Sequence, residues 1–446
     1  MNPIEVLKTK PTVLVIGGGI TGKSVVDFLT KFECKILLVD SKPQQNISGI
    51  TFYPDTTEFA SLGKIDFAIK SPGFKPNHPI LLELRKKAIP VLSEIELARH
   101  FFKGKIIGIT GTDGKSTTTA LTYHIIQKSF PKSKMGGNIG IPFIEFCMDD
   151  LDFAVLELSS YQLDDSGFLD LDVCAILNIA PDHLERHGTM ENYLEAKKRI
   201  INRTSPNSVF ITNERLFPKL NLSPNDLKGK FLLFGETNDS SAKILLEEGK
   251  IITYKFSYST KEFPLEGKHN LENLSASILL SEAAGCLPEN IQTAISDFTG
   301  LLYRFQKIKT WNGITFINDS KSTNIHSMLS GLSGIESKTP IILILGGKQK
   351  NEELSPLTNR LKELNVVVFL IGEARLHWEK ELRNCLNERL LIKENLTEAI
   401  KTIREKVNES KFDMILFSPA CASFDQYNNF EERGRHFTDL INSHFA

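Results

Sequence analysis

Short runs of β-branched and aliphatic residues recur along the chain, each closed by glycine or a polar cluster and followed by a stretch with helical periodicity. Thr12-Val-Leu-Val-Ile16 is the first run. Gly17-Gly-Gly19-Ile20-Thr21-Gly22 closes it, and the next apolar-periodic stretch predicts a helix through Phe28. Residues 35–39 predict a second strand ending at Asp40. Residues 65–69 predict another, ahead of the turn Ser71-Pro-Gly73, and 91–100 read as a closing helix. The alternation restarts at Lys105, with strands expected at 153–157 and 173–179 and an amphipathic helix over 191–201. Short strands at 208–213 and 231–235, a hairpin over 242–255 and a long helix from Gly267 to Ala284 follow. Strands at 314–318, 340–345, 366–371 and 412–417, with helices between them, form a third alternation. Such alternation marks α/β units with parallel sheets. Boundaries near residues 103 and 300 divide the chain into three domains, 1–103, 104–299 and 300–446.

Composition narrows the class. A chain of 446 residues has room for several domains, each with its own core. Basic and acidic residues nearly balance, 53 against 54, so nucleic acid is not expected as a partner. The six cysteines, at 34, 147, 174, 286, 385 and 421, form no CxxC pair, which fits reduced thiols in a cytoplasmic protein. Met1 to Lys10 holds no apolar stretch of signal-peptide length, and no apolar run is long enough to span a membrane.

The strongest chemical signal is Lys105-Ile-Ile-Gly-Ile-Thr-Gly111-Thr112-Asp113-Gly114-Lys115-Ser116-Thr117. A buried strand, a glycine-rich turn and a helix start carrying Lys-Ser-Thr describe a phosphate cradle. Lys115 would reach the β/γ-phosphates of a mononucleotide, ATP being the expected one, and the hydroxyl of Ser116 or Thr117 would hold Mg²⁺. Ile109 stands where the general pattern has its first glycine. The loop Gly17 to Gly22, with Asp40 beyond it, fits a dinucleotide-type fold, and any pyrophosphate-linked nucleotide could use it.

Other residues stand out by position. Glu157 closes an apolar run, where a charge is costly without a partner, and beside a phosphate loop Mg²⁺ is the natural one. Asn138 lies in the glycine turn Gly136-Gly-Asn-Ile-Gly140. His183 follows the 173–179 strand and reads as a metal or phosphate contact. His187, four residues on, suggests a zinc pair, but no third ligand is evident, and it reads as a surface residue. In the helix 191–201 one of Lys197 and Lys198 could face the cleft. Asn270 and Asn273 could meet a base, although capping suits Asn270. Arg304 stands at a domain junction, and polar clusters follow three strands of the last domain: Asn318-Asp319-Ser-Lys-Ser-Thr323-Asn, Gly346-Gly-Lys-Gln-Lys350 and Ser418-Pro-Ala-Cys-Ala-Ser423. Strand ends are where open α/β sheets take ligands.

These motifs, in this order from Gly17 to Gly434, resemble the Mur ligases, ATP-dependent amino-acid ligases of peptidoglycan synthesis. The run Ser418-Pro-Ala-Cys-Ala-Ser-Phe-Asp-Gln-Tyr-Asn-Asn-Phe430-Glu-Glu-Arg-Gly434 resembles the branch that adds D-glutamate to UDP-N-acetylmuramoyl-L-alanine. The resemblance implies a Rossmann-like N-terminal domain that binds UDP rather than NAD, a central P-loop ATPase-like parallel sheet and a Rossmann-like C-terminal domain. It places Ile20, Thr21, Asp40, Ser41 and Ser71 near the uridine and phosphates, with Asn138 and His183 near the muramoyl substrate and metal. It makes Glu157 a Mg²⁺ ligand and Lys197 a carbamoylated lysine, whose amine becomes an anionic metal ligand. It implies ATP contacts at Asn273, Arg304 and Asp319, and D-glutamate contacts at Thr323, Lys350, Ser423 and Phe430. The working form expected is a monomer.

Two positions depart from the family pattern. Asp113 replaces the usual Asn before Gly-Lys-Ser, and Gly346-Gly-Lys348-Gln349-Lys350 lacks an Asp often seen between the glycines and the lysine. Alternatives by class are a sibling ligase using another amino acid, a folylpolyglutamate synthetase, a dinucleotide-dependent oxidoreductase with an accessory NTPase domain, and a catalytically silent nucleotide switch.

Overall fold

Five short strands make the first sheet: β1 (Thr12–Ile16), β2 (Lys35–Asp40), β3 (Ile50–Pro54), β4 (Phe67–Lys70) and β5 (Val91–Ser93). All pair in parallel, in the order β3-β2-β1-β4-β5. The structure is a computed structural model described over residues 2–41, 49–202, 204–222, 229–348 and 353–445. Residues 91–93, expected as the start of a helix, instead pair with 68–70, and the helix begins at Glu94. Ser93 makes the switch: its backbone closes the sheet while its Oγ accepts from Glu96 N, at 3.1 Å, as the helix cap.

Nine strands make the second sheet: β6 (Lys105–Thr110), β7 (Ser133–Gly137), β8 (Phe153–Glu157), β9 (Leu171–Ile176), β10 (Thr204–Asn213), β11 (Lys230–Gly235), β12 (Ala242–Leu245), β13 (Lys250–Thr253) and β14 (Ser257–Ser259). Their order is β14-β13-β12-β11-β10-β9-β6-β8-β7, parallel except for the two pairings of β13. The hairpin over 242–255 is β12 and β13. β6 and β8 are buried on both faces, as their unbroken apolar runs require.

The first and second sheets share a core. Val13, Val15 and Ile69 belong to one buried cluster with Ala154, Leu156 and Cys174, and residues 1–299 form one compact unit. The third sheet lies in the second unit, Gly300–Ala446. It comprises β15 (Gln306–Trp311), β16 (Ile314–Asn318), β17 (Ile341–Gly346), β18 (Val366–Ile371), β19 (Leu390–Ile392) and β20 (Met414–Phe417), in the order β15-β16-β20-β17-β18-β19. Only β15 runs antiparallel to its neighbour. Among the described residues no helix is long and apolar enough to cross a membrane.

One buried carboxylate in the shared core sets a pH dependence. Glu94 is 2% exposed, and its Oε1 accepts from Ile144 N at 2.7 Å. Burial, with the Glu145 carboxylate nearby, raises its pKa to about 7. The folded state therefore holds a proton that the unfolded chain releases near pH 4.5. That contribution is complete below the ordinary carboxylate range and is lost as pH rises through about 7. The expected loss between pH 5 and 8 is on the order of 3 kcal/mol. Glu94→Gln keeps the acceptor and should flatten that slope in denaturant melts taken across the range.

Candidate active site

In the first sheet the strand order reverses between β1 and β4, and the polar residues after β1, β2 and β4 meet there. Gly18 N donates to Asp40 Oδ2 at 2.5 Å, Ser41 Oγ to Asp40 Oδ1 at 3.4 Å, and Ser71 Oγ to Gly17 O at 3.2 Å. Asp40 thus shapes the Gly17–Gly22 loop. Ile20, the first residue of the helix Ile20–Leu29, is 77% exposed, with Thr21 beside it. An apolar side chain left this open on a ligand-type loop suits a planar, partly apolar ligand.

The second sheet has its own reversal between β6 and β9, and the phosphate loop leaves β6 there. Gly114 holds φ +76°, and an added Cβ would stand 2.2 Å from Asn273 Oδ1, so only glycine fits. The helix Lys115–Ser129 starts immediately after it, with Ser116 buried and Thr117 half-buried in its first turn. Asn178, past the end of β9, clamps the loop from below. Its Oδ1 accepts from Thr112 N (3.1 Å) and Asp113 N (2.8 Å), and its Nδ2 donates to Asp113 O (3.0 Å). Two amides expected to face a phosphate are therefore held by a side chain. The anion cradle shifts to the first helical turn at its positive end. Asp113 is exposed, and its backbone, not its carboxylate, is what the clamp holds.

In sequence Asn178 falls within the expected strand 173–179, as part of the motif that leads to His183; only the fold shows that it lies past β9 and reaches across to the loop. Asn178→Leu removes the side-chain acceptor from both amides, leaving Thr112 N only its 3.2 Å bond to the Asn178 backbone oxygen, and should raise the Michaelis constant for ATP by about tenfold. The same variant should leave the pH optimum unmoved, which a rate profile against ATP concentration and pH checks.

Lys115 Nζ donates to Thr112 O at 2.6 Å, folded along the loop. Lys197 Nζ comes from the other side, donating to Gly111 O at 2.7 Å and to Thr110 Oγ1 at 3.5 Å. Lys197 is 1% exposed and lies over the Tyr193 ring at 4.6 Å, one helical turn before it. Among the described residues no carboxylate is within ion-pair distance of it. Burial, and then the charge of Lys115, push its pKa well below the lysine range. Lys198 instead faces outward and pairs with Glu195 at 2.8 Å. Tyr193 joins its hydroxyl to Thr112 Oγ1 at 3.1 Å, and burial raises its pKa to about 12.

Glu157 ends β8 beside Ile109 of β6. It is 2% exposed. Oε1 accepts from Asn138 Nδ2 at 2.7 Å, while Oε2 is buried without a hydrogen-bond partner among the described residues. A buried carboxylate oxygen in that state suits a cation. Among the described residues no group of three His, Cys, Asp or Glu side chains converges as a ready-made metal site. A site here must therefore recruit other oxygens, such as Ser116 Oγ or a modified Lys197. His183 is exposed and has a left-handed backbone (φ 53°) ahead of the short helix Leu184–His187. It is further from its strand than expected, since β9 already ends at Ile176. His187 corrects the surface expectation: it is half-buried, 3.0 Å from Ser160 Oγ, and packs on Tyr161 and Tyr193.

Asn273 packs against the loop at Gly114, its Oδ1 accepting from Thr118 Oγ1 at 3.2 Å. Asn270 does not cap its helix; that position is Gly267, and Asn270 Nδ2 donates to Glu266 O at 2.7 Å.

In the second unit Asp319 is 3% exposed. It accepts from Ser322 Oγ and Ser418 Oγ, both at 2.6 Å, and from Phe305 N at 3.0 Å. Burial raises its pKa, against these bonds and the nearby Arg304 charge. Arg304 is exposed, Ser423 is buried, and Thr323 and Phe430 are half-buried, with Lys321 Nζ 5.9 Å over the Phe430 ring. Lys350, with Gln349, lies outside the described residues.

Comparison with known proteins follows the same division of the chain. Residues 11–93 match the "Mur ligase MurD-like, N-terminal domain", 109–281 the "Mur ligase middle domain", and 303–421 the "Mur ligase, glutamate ligase domain". The UDP-N-acetylmuramoylalanine--D-glutamate ligase of Leptospira borgpetersenii is 49% identical over 443 residues, 96% of each chain. That of Koribacter versatilis is 35% identical over 445 residues, again 96% of each. Among solved structures, the MurF ligase of Thermotoga maritima in complex with ADP superposes with a TM-score of 0.58 at 17% identity, covering 98% of this chain and 99% of that one. A MurF structure from Acinetobacter baumannii gives 0.61 at 16% identity, covering 96% and 90%. At these identities the two structures speak for the fold alone.

Proposed function

The chain belongs to the Mur ligase family, and from that membership we propose how its own residues carry the reaction. It is an ATP-dependent ligase that adds D-glutamate to UDP-N-acetylmuramoyl-L-alanine in peptidoglycan precursor synthesis. We assign the nucleotide-sugar to 1–103, the ATP to 104–299 and the amino acid to 300–446.

The reaction begins when the alanyl carboxylate attacks the γ-phosphorus and ADP leaves. The D-glutamate amine then attacks the resulting acyl phosphate, and inorganic phosphate leaves as the amide forms. Lys115 and the first turn of the helix Lys115–Ser129 balance charge on the transferring phosphoryl group. Gly114 to Thr117 seat the phosphates at the end of the loop Gly111–Asp113 that Asn178 holds, and Asn273, packed against Gly114, contacts ATP. Arg304 and Asp319 contact ATP. Ile20, Thr21, Asp40, Ser41 and Ser71 seat the UDP portion, and Asn138 and His183 the muramoyl portion. Thr323, Lys350, Ser423 and Phe430 hold D-glutamate.

One observation carries the metal assignment: Oε2 of Glu157, buried and without a hydrogen-bond partner among the described residues. Ser116, Glu157, His183 and a carbamoylated Lys197 would hold Mg²⁺, which when bound neutralises phosphate charge and orients the γ-phosphoryl group. Carbamoylation is supported by Lys197 itself, a buried amine bonded to neutral oxygens, with burial and the charge of Lys115 holding its pKa well below the lysine range. Carbon dioxide on that nitrogen supplies the negative oxygens the site otherwise lacks. Six free cysteines fit a reducing cytoplasm, where the enzyme acts as a single chain.

The test is phosphate release from ATP with UDP-N-acetylmuramoyl-L-alanine and a panel of amino acids. Release with D-glutamate and not with L-alanine or a diamino acid supports the reading. Turnover with one of those instead overturns the specificity.

A further inference from the structure

Three polar loops follow three neighbouring strands of the third sheet, and one buried side chain bonds two of them and borders the third. Arg433 lies on the helix Phe430–His444 and is 1% exposed. Its Nε donates to Ser320 Oγ at 3.1 Å and its Nη2 to Ser320 O at 2.8 Å, in the loop after β16. Its Nη1 donates to Cys421 O at 3.0 Å, in the loop after β20. In the loop after β17, a Cβ on Gly347 (φ +140°) would stand 2.4 Å from the backbone oxygen of Ala422 and 3.0 Å from Nη1, so the glycine lets that loop run close to the β20 loop and the guanidinium. Ser320 Oγ passes the connection on, donating to Phe430 O at 2.9 Å.

Every one of these acceptors is neutral. Among the described residues no carboxylate forms an ion pair with Arg433. The nearest acid acting on it, Asp425, has its Oδ2 bonded to Glu373 N at 3.0 Å. A fully buried guanidinium without a paired anion is costly. Its placement gives it a use: the loops it fixes are those that carry Thr323 and Ser423.

We propose that Arg433 is the positioning residue of the amino-acid site, tying the loops after β16 and β20 together in one register and giving the site a fixed positive charge for a dicarboxylate. This deepens the assignment of D-glutamate to the last domain and rests on it. Lysine cannot replace the fork, because one ammonium cannot reach Ser320 and Cys421 with the same planar geometry.

The experiment compares Arg433→Lys and Ser320→Ala with the unaltered enzyme, measuring Michaelis constants for all three substrates and melting temperature. Both variants should raise the D-glutamate constant, Arg433→Lys by at least about tenfold and Ser320→Ala by less. Constants for ATP and the nucleotide-sugar should stay within about twofold. A uniform change in all three constants, or a lower melting temperature with an unmoved D-glutamate constant, overturns the proposal. Should Arg433→Lys fail to fold, Ser320→Ala decides by the same split. If the unaltered enzyme ignores D-glutamate but uses another amino acid, the specificity reading has failed. The constants for that amino acid then judge Arg433 separately.

Discussion

Glu157→Gln is expected to lower turnover by about a thousandfold while raising the melting temperature of the metal-free protein. The two effects share one cause. In the folded chain the carboxylate is buried, with Oε1 bonded to Asn138 and Oε2 bonded to nothing among the described residues. Without a cation, a negative charge in that position opposes folding. Glutamine keeps an oxygen for Asn138 and removes the charge, so the empty site relaxes. With Mg²⁺ the sign reverses: the unaltered protein gains stability as the ion binds the native state, and the variant does not. Thermal melts with and without Mg²⁺, next to a turnover assay, separate this from a merely structural carboxylate. A structural role would lower stability in the variant and leave Mg²⁺ without effect on either protein.

The second large effect is at Lys197. Lys197→Met and Lys197→Arg should each lose roughly a hundredfold or more in turnover, because neither side chain can take up carbon dioxide. Their stabilities should diverge. Burial and Lys115 depress the Lys197 pKa in the fold, so the unfolded chain binds a proton that the folded chain resists. Stability then rises with pH between the folded value and the ordinary lysine range, and is lowest below the folded value. Methionine removes that penalty, so its advantage is largest at low pH and shrinks as pH rises. Arginine keeps the buried charge and gains nothing. In the unaltered enzyme, removing bicarbonate and dissolved carbon dioxide should lower turnover, and adding bicarbonate should restore it. Equal activity in degassed and bicarbonate-supplied assays argues against the carbamate.

Much of this site is readable from residues alone because its signals are local. A buried strand, a glycine turn and Gly-Lys-Ser-Thr lie consecutively in the chain, and the structure keeps them as β6, the loop and the helix Lys115–Ser129. Glu157 is legible for a related reason: a carboxylate closing an apolar strand must find a partner. Lys197 was left undecided against Lys198 by periodicity. The carbonyl of Gly111, 86 residues earlier, resolves it, and that contact needs tertiary structure.

What stayed hidden acts across the sheet. Asn178 grips a loop 65 residues earlier, and Arg433 grips one 113 residues earlier; neither spacing leaves a local mark. The strand at 91–93 was hidden because three residues carry no period, and the helix after it dominated the reading. β15 mixes lysines with apolar positions along an edge, so its alternation is too weak to stand out. The joining of the first two sheets in one unit also escaped, since each had enough apolar residues to suggest a separate core.

The most direct test of the account follows oxygen. UDP-N-acetylmuramoyl-L-alanine labelled with ¹⁸O in the alanyl carboxylate is incubated with ATP, Mg²⁺ and D-glutamate, and the released phosphate is examined by mass spectrometry. Attack of the carboxylate on ATP, followed by attack of the D-glutamate amine, predicts one labelled oxygen in each phosphate and a product heavier by one glutamyl residue. Unlabelled phosphate, or phosphate released at the same rate without D-glutamate, contradicts it.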